Sequence, residues 1–315
     1  MRKNLNTKTN KLSLIALILS FFVIIQAEDF KKVGTVGYTF LEVPVTARQA
    51  GMGQAAGAIV KNSGITPLFL NPAVLGFQKR YVAGISYSKW LANINHHSGG
   101  VSIPSQYLGN FGIGVNYFDY GTMDRTIQTG FGLYEKAGNY TAQSLSLGMT
   151  YARQLTDKFS YGLRFKWVEE TIYNYSSSNA LLDMGIIYYT NFNSLRIGGM
   201  VSNFGVESKF IGDSFKMPTT LRLALAYDFI INDKQSLTLV GEVSHPSDNL
   251  EKIHIGFEYN LNDLLYLRTG YKYKYDEDKI SYGAGINWDK FMLDASFIPF
   301  GRFNSVYIIT FQKGF

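Results

Sequence analysis

The chain has 315 residues with no Cys, 31 Gly, 22 Tyr, 23 Phe and 7 Pro; 17% of residues are charged and the formal net charge is +6. The lack of Cys excludes a disulfide scaffold, the aromatic and aliphatic content excludes disorder, and a mean hydropathy of −0.03 argues against a bundle of membrane helices. What remains is a β-rich domain, or a β-barrel that spreads its hydrophobicity along alternating positions.

The first element is an export signal. Arg2, Lys3, Lys8 and Lys11 precede an apolar run from Leu12 to Ile25, broken only by Ser13 and Ser20, and Gln26-Ala27 offers a small residue at a cleavage point. The run is short and one-sided for a spanning helix, so residues 1–27 read as a secretory signal peptide; the alternative is an uncleaved anchor. Four of the 30 basic residues and no acidic ones lie there, which leaves 26 against 24 and a net charge of +2. The basicity therefore belongs to the signal, and no nucleic-acid partner is expected.

Residues 28–79 do not alternate. Thr46 to Val60 is rich in small residues and predicts a short helix, with Gly51, Gly53 and Gly57 allowing close packing. Leu70-Asn71-Pro72-Ala73 is a fixed turn, because Pro72 lacks an amide proton and biases Asn71 away from helix. A segment of this length before a barrel is expected to fold into the lumen as a plug or hatch; the alternative is a periplasmic extension.

From residue 80 to 315 the pattern has period two. Phe159, Tyr161, Leu163, Phe165 and Trp167 alternate with Ser160, Gly162, Arg164 and Lys166; Leu221 to Phe229 and Ile253 to Leu261 behave in the same way. No stretch after the signal is apolar on every side for ~18 residues. Strands are predicted at 81–90, 96–105, 109–120, 141–153, 158–169, 180–190, 194–203, 218–229, 235–245, 251–260, 264–275, 278–289, 290–299 and 303–315. Strands of about 10 residues suit a tilted membrane crossing, and aromatics such as Tyr87, Trp90, Tyr120, Trp167, Tyr188, Tyr189, Tyr275 and Trp288 cluster near strand ends, as in interfacial girdles. The fold class is therefore all-β, a 14-stranded antiparallel transmembrane β-barrel, an even count as closed bacterial barrels require. Short turns at 106–108, 154–157, 191–193, 230–234 and 261–263 fall on one end, assigned to the periplasm. Loops at 121–140, 170–179, 204–217 and 246–250 fall on the other.

On the polar face stand Arg164, Lys166, Arg222, Arg268, Lys272 and Lys274 together with Glu242, Glu258 and Asp294. Mixed charge on an inner wall makes ladders that stabilise a barrel and hold a plug; a selectivity role for anionic solutes is the sharper reading. The final strand alternates Tyr307, Ile309 and Phe311 and ends on aromatic Phe315, like the signal read by the barrel assembly machinery, although Lys313 interrupts the apolar face.

Residues 40–53, F-L-E-V-P-V-T-A-R-Q-A-G-M-G, followed by L-N-P-A at 70–73, resemble the PorV/PorQ family of the FadL-like superfamily. Further similarity lies at Tyr120-Gly121, Arg125-Thr126, Met217 to Thr220 and His245 to Asn249; Lys61-Asn62-Ser63-Gly64 departs from an acidic stretch usual in relatives. The resemblance implies a fourteen-stranded barrel in the outer membrane, contacting its lipid. It also implies a hatch carrying Arg48, Gly51, Met52, Gly53, Asn71, Pro72 and Ala73, and a link to type IX secretion components or cargo proteins. Its superfamily offers the alternative of a passive channel for small hydrophobic molecules; a mainly structural barrel is the third reading.

No enzyme, metal or cofactor is expected. His96 and His97 are adjacent in a strand and face opposite sides, His245 precedes Pro246, and His254 is predicted to face the lumen. No G-x-S-x-G, H-E-x-x-H or Walker-type loop occurs.

Overall fold

Strand after strand from Val82 onward keeps its large apolar side chains at one parity and its small or polar ones at the other. The computed structural model, which describes residues 34–315, shows where each set goes. The expected signal peptide, residues 1–27, lies outside the described residues. Sixteen strands are present among them: β1 (Val82–Lys89), β2 (Asn95–Ile103), β3 (Asn110–Gly130), β4 (Leu133–Thr156), β5 (Phe159–Ile172), β6 (Tyr175–Tyr189), β7 (Arg196–Phe204), β8 (Ser208–Phe210), β9 (Asp213–Phe215), β10 (Thr220–Asn232), β11 (Gln235–Pro246), β12 (Lys252–Leu261), β13 (Leu265–Tyr273), β14 (Ile280–Trp288), β15 (Phe291–Ile298) and β16 (Val306–Gly314). Fourteen form a closed antiparallel barrel; β8 and β9 make a separate small hairpin in the connection from β7 to β10. The ring closes where β1 pairs with β16, from Val82 opposite Gly314 to Lys89 opposite Tyr307.

The barrel is apolar outside and mostly small or polar inside, with inward apolar side chains such as Phe118, Ile187, Met200, Val240 and Ile308 where the internal segment packs. On β5, Ser160, Gly162, Arg164 and Lys166 are buried while Leu163, Phe165 and Trp167 are exposed. The same holds around the ring, with Ile85, Ile113, Met149, Ile186, Leu223, Leu267, Ile286 and Ile309 all facing outward. A continuous apolar belt of this extent is what a soluble monomer avoids, and lipid is its natural cover. No helix among the described residues is long and apolar enough to cross a membrane; the strands make the crossing.

Three stretches expected as loops are paired. β3 and β4 run on as a ribbon beyond the wall to a turn at Phe131-Gly132, through most of 121–140. Its polar alternation, Thr122, Asp124, Thr126 and Gln128, suits a ribbon wetted on both faces. β5 and β6 meet at a tight turn with Tyr173 at φ 57°, and 204–217 holds the β8–β9 hairpin. Lys274 is another correction: it follows β13 at φ 64° and is exposed rather than turned into the lumen. Of the aromatics expected in the girdles, Trp90, Tyr120, Tyr189 and Tyr275 turn inward.

Residues 38–78 run inside the barrel from the end with the long connections to the end with the short turns. At the first end the Tyr38 hydroxyl hydrogen-bonds Ser177 and Ser208 at 2.8 and 3.1 Å. At the other, Lys61 Nζ donates to Asp263 at 2.7 Å in the turn after β12. Regular structure is scarce: a helix α1 (Ala47–Gly51) capped by Thr46, and 3-10 turns at Thr39–Glu42, Thr66–Leu68 and Pro72–Phe77. The helix expected over 46–60 stops after five residues, because Gly53 and Gln54 both take φ near +60°.

Candidate functional site

The interface between the internal segment and the inner wall is the chemically richest part of the molecule, and most of its polar contacts are long-range in sequence. Arg48, on α1, is 3% exposed. Its Nε and Nη2 donate to Glu258 Oε2 and Oε1 at 2.8 and 2.6 Å, a bidentate pair, and Nη1 donates to the Lys61 and Asn62 carbonyls at 2.9 and 2.5 Å. Glu258 also accepts from Arg268 Nε at 2.6 Å, and Arg268 Nη1 donates to Asp294 at 2.6 Å. The charges thus alternate from the segment into β12, β13 and β15. This arrangement satisfies most of what burial would otherwise make costly, although Arg268 Nη2 has no hydrogen-bond partner among the described residues.

Three more wall charges hold segment backbone. Arg164 donates to the Leu68 and Phe69 carbonyls and, with Lys166, to Asp183. Glu242 accepts from Gly57 N at 3.0 Å and from Arg222 at 2.9 Å. Arg196 donates to the Ala58 carbonyl at 3.1 Å and pairs with Asp228 through two contacts. Asp183, Arg196, Asp228 and His254, whose Nδ1 donates to the Gly53 carbonyl at 2.8 Å, are absent from the sequence expectations for this role. Asp183 carried a readable signal, as the lone acid at lumen parity in the apolar run Ala180 to Tyr189.

The turn at 70–73 is built as its residues demand. Asn71 Oδ1 accepts from Ala73 N at 3.1 Å, Pro72 occupies the first position of the following 3-10 turn, and Asn71 Nδ2 donates to the Gly57 carbonyl at 2.7 Å. Close approach to the wall depends on glycine. Gly51 sits against Gly283, and a Cβ at Gly270 would lie 2.0 Å from Gly53 N and 2.2 Å from the Met52 carbonyl carbon. The Met52 side chain packs in an apolar cluster with Ala55, Ile59 and Val74 of the segment and Ile187, Met200 and Val240 of the wall. Outside the membrane-spanning strands, the Lys61 hydrogen bond holds the Asp263 carboxyl below its usual range, and burial raises the Tyr275 phenol.

On β16, Tyr307, Ile309 and Phe311 face outward, as does Phe315, whose amide donates to the Tyr81 carbonyl at 2.9 Å. Lys313 lies over the Phe291 and Phe315 rings at 5.2 and 4.9 Å, so its stem covers apolar surface.

No family model matches the chain, and no curated protein matches it. Solved structures do. A monoaromatic hydrocarbon channel, CymD, superposes with a TM-score of 0.59 at 12% identity over 87% of this chain and 98% of that one. The toluene transporter TbuX of Ralstonia pickettii gives 0.56 at 14% identity over 86% and 98%, and a FadL homologue from Pseudomonas aeruginosa 0.52 at 12% over 86% and 98%. At such identities the likeness is one of fold: a closed 14-strand barrel of the FadL type. It is the fold that the FadL-like part of the sequence resemblance implies. The PorV/PorQ level, and with it type IX secretion, finds no support among the neighbours.

Proposed function

We propose that this protein is an outer-membrane channel for small hydrophobic molecules, with residues 38–78 as the element that opens and closes it. The apolar seam between segment and wall carries the reading: Met52, Ile59 and Val74 pack against Ile187, Met200 and Val240, and further apolar contacts join the two at Phe40 with Phe118 and at Ala47 with Ile308. The fold shared with channels described for monoaromatic hydrocarbons and toluene points the same way. The chambers within the lower contact are small, about 10 Å³ near Arg48 and Leu70 and 30 Å³ near Phe69 and Arg164. Both are far below the ~300 Å³ of a typical ligand pocket, so passage needs the segment to shift.

A cross-link tests this. The chain has no Cys, and Ala47 N donates to Thr310 Oγ1 at 2.8 Å, so the two residues touch and a disulfide between them would tie the segment to β16. With Ala47→Cys and Thr310→Cys together, cells expressing the protein should take up labelled toluene when reduced and lose that uptake when oxidised. Equal uptake in both states, or none beyond that of cells lacking the protein, would overturn the proposal.

A further inference from the structure

At the long-connection end of the lumen, between the segment and the wall, lies a cavity of about 220 Å³, room for roughly seven waters at ~30 Å³ each. Part of its lining is apolar: Val43 and Pro44 from the segment, and Trp90 and Phe300, whose rings meet edge to face at 5.5 Å. The rest is charged, and most of that charge is already spent. Arg222 is paired with Glu242 at 2.9 Å, and Lys272 with Asp278. Two lining groups of opposite sign are left. Among the described residues the Glu42 carboxyl group makes no hydrogen bond or ion pair, and the Lys252 ammonium makes only a contact with the Tyr275 ring at 4.8 Å. Burial raises the Glu42 carboxyl, Lys252 is the strongest influence opposing that, and Asp248 and Arg222 act more weakly in opposite directions. Glu42 and Lys252 therefore sense each other without touching.

An anion site would carry surplus positive charge, and a cation site surplus negative. Here the lining charges sum to zero, with one carboxylate and one ammonium uncommitted beside an aromatic wall. We infer that this cavity binds a small zwitterion with an apolar side chain, of the α-amino acid class. The ligand ammonium meets Glu42, its carboxylate meets Lys252, and its side chain rests on Trp90 and Phe300. The inference is independent of what crosses the barrel, and its failure leaves the channel reading untouched.

The probe is L-leucine, with 4-methylpentanoate and isopentylamine as analogues that each keep one charge. Trp90 reports binding through its fluorescence, since Trp167 and Trp288 face outward and a Trp90→Phe control isolates its signal. The expected result is saturable leucine binding to the full chain in detergent, about tenfold weaker for each analogue and for Glu42→Gln or Lys252→Gln, as loss of one charge-assisted contact implies. Heat-dependent gel migration shows that each variant remains a folded barrel. Swapping the charges with Glu42→Lys and Lys252→Glu should restore part of the binding, which a merely structural role would not do. Absence of leucine binding, or 4-methylpentanoate binding as tightly as leucine, overturns the inference. So does unchanged affinity in Glu42→Gln.

Discussion

Phe257 and Glu258 are consecutive residues of β12, and they meet different solvents. Phe257 points outward at 40% exposure; Glu258 points inward at 4% and holds Arg48 and Arg268 at once. The outer face asks only that a side chain be apolar, because lipid conforms to any shape. The inner face asks for one residue in one place, because its partner is a fixed segment more than two hundred positions away in the chain. Substitutions at the two positions should therefore fail in different ways.

The largest effect belongs to the inner face. Glu258→Gln leaves two buried guanidinium groups with one carboxylate fewer, and breaking a buried pair by removing one partner costs about 3–5 kcal/mol. Urea unfolding in lipid vesicles should show that loss, and the segment should become sensitive to protease at Lys61. If the double change Arg48→Met with Glu258→Leu restores most of the stability, the network is held for position rather than for energy. If Glu258→Gln costs less than ~1 kcal/mol and leaves the segment protected, the inner face is not what fastens the segment.

Next in size is the outer face. Phe257→Lys puts an ammonium into the apolar belt, which costs about 2–4 kcal/mol near the bilayer centre and less toward either edge. Phe257→Leu should be almost neutral, since nothing shape-specific is lost. A large cost for Phe257→Leu would mean that a protein partner, and not lipid, covers this strand.

The same contrast explains what could be read from the sequence. Period-two alternation is a local rule that every wall strand obeys by itself, so all fourteen are visible from residue order alone, several to within two residues: 235–245 against Gln235–Pro246, 264–275 against Leu265–Tyr273. Lumen parity followed as well, and it placed Arg164, Lys166, Arg222, Glu242, Glu258 and Arg268 on the inner face. Which inner charge meets which was not legible, because Arg48 finds Glu258, and Gly57 finds Glu242, only once the ring has closed. The ribbon at 121–140 was missed for another reason: water on both sides removes the apolar alternation, and pairing there is fixed by the adjoining strands and the turn at Phe131-Gly132.

The smallest effect lies where the segment meets water. Lys61 and Asp263 pair at 2.7 Å, but their side chains are 61% and 54% exposed, and an exposed ion pair contributes ~1 kcal/mol or less. The Lys61 bond lowers the Asp263 carboxyl below its unfolded value, and the sign of the pH dependence follows. Folded and unfolded chains are both ionised at this residue from pH 8 down to about 5, so the contribution is flat there. As pH falls below about 4 the unfolded chain takes up its proton first, and the contribution fades until pH passes the folded value. Asp263→Asn should therefore lose less than ~1 kcal/mol at pH 7, and the gap to the parent chain should narrow near pH 3. Unfolding in vesicles at those two pH values checks both points. A loss as large as that of Glu258→Gln would show that solvent screening is not what separates the two ends of the segment's contact with the wall.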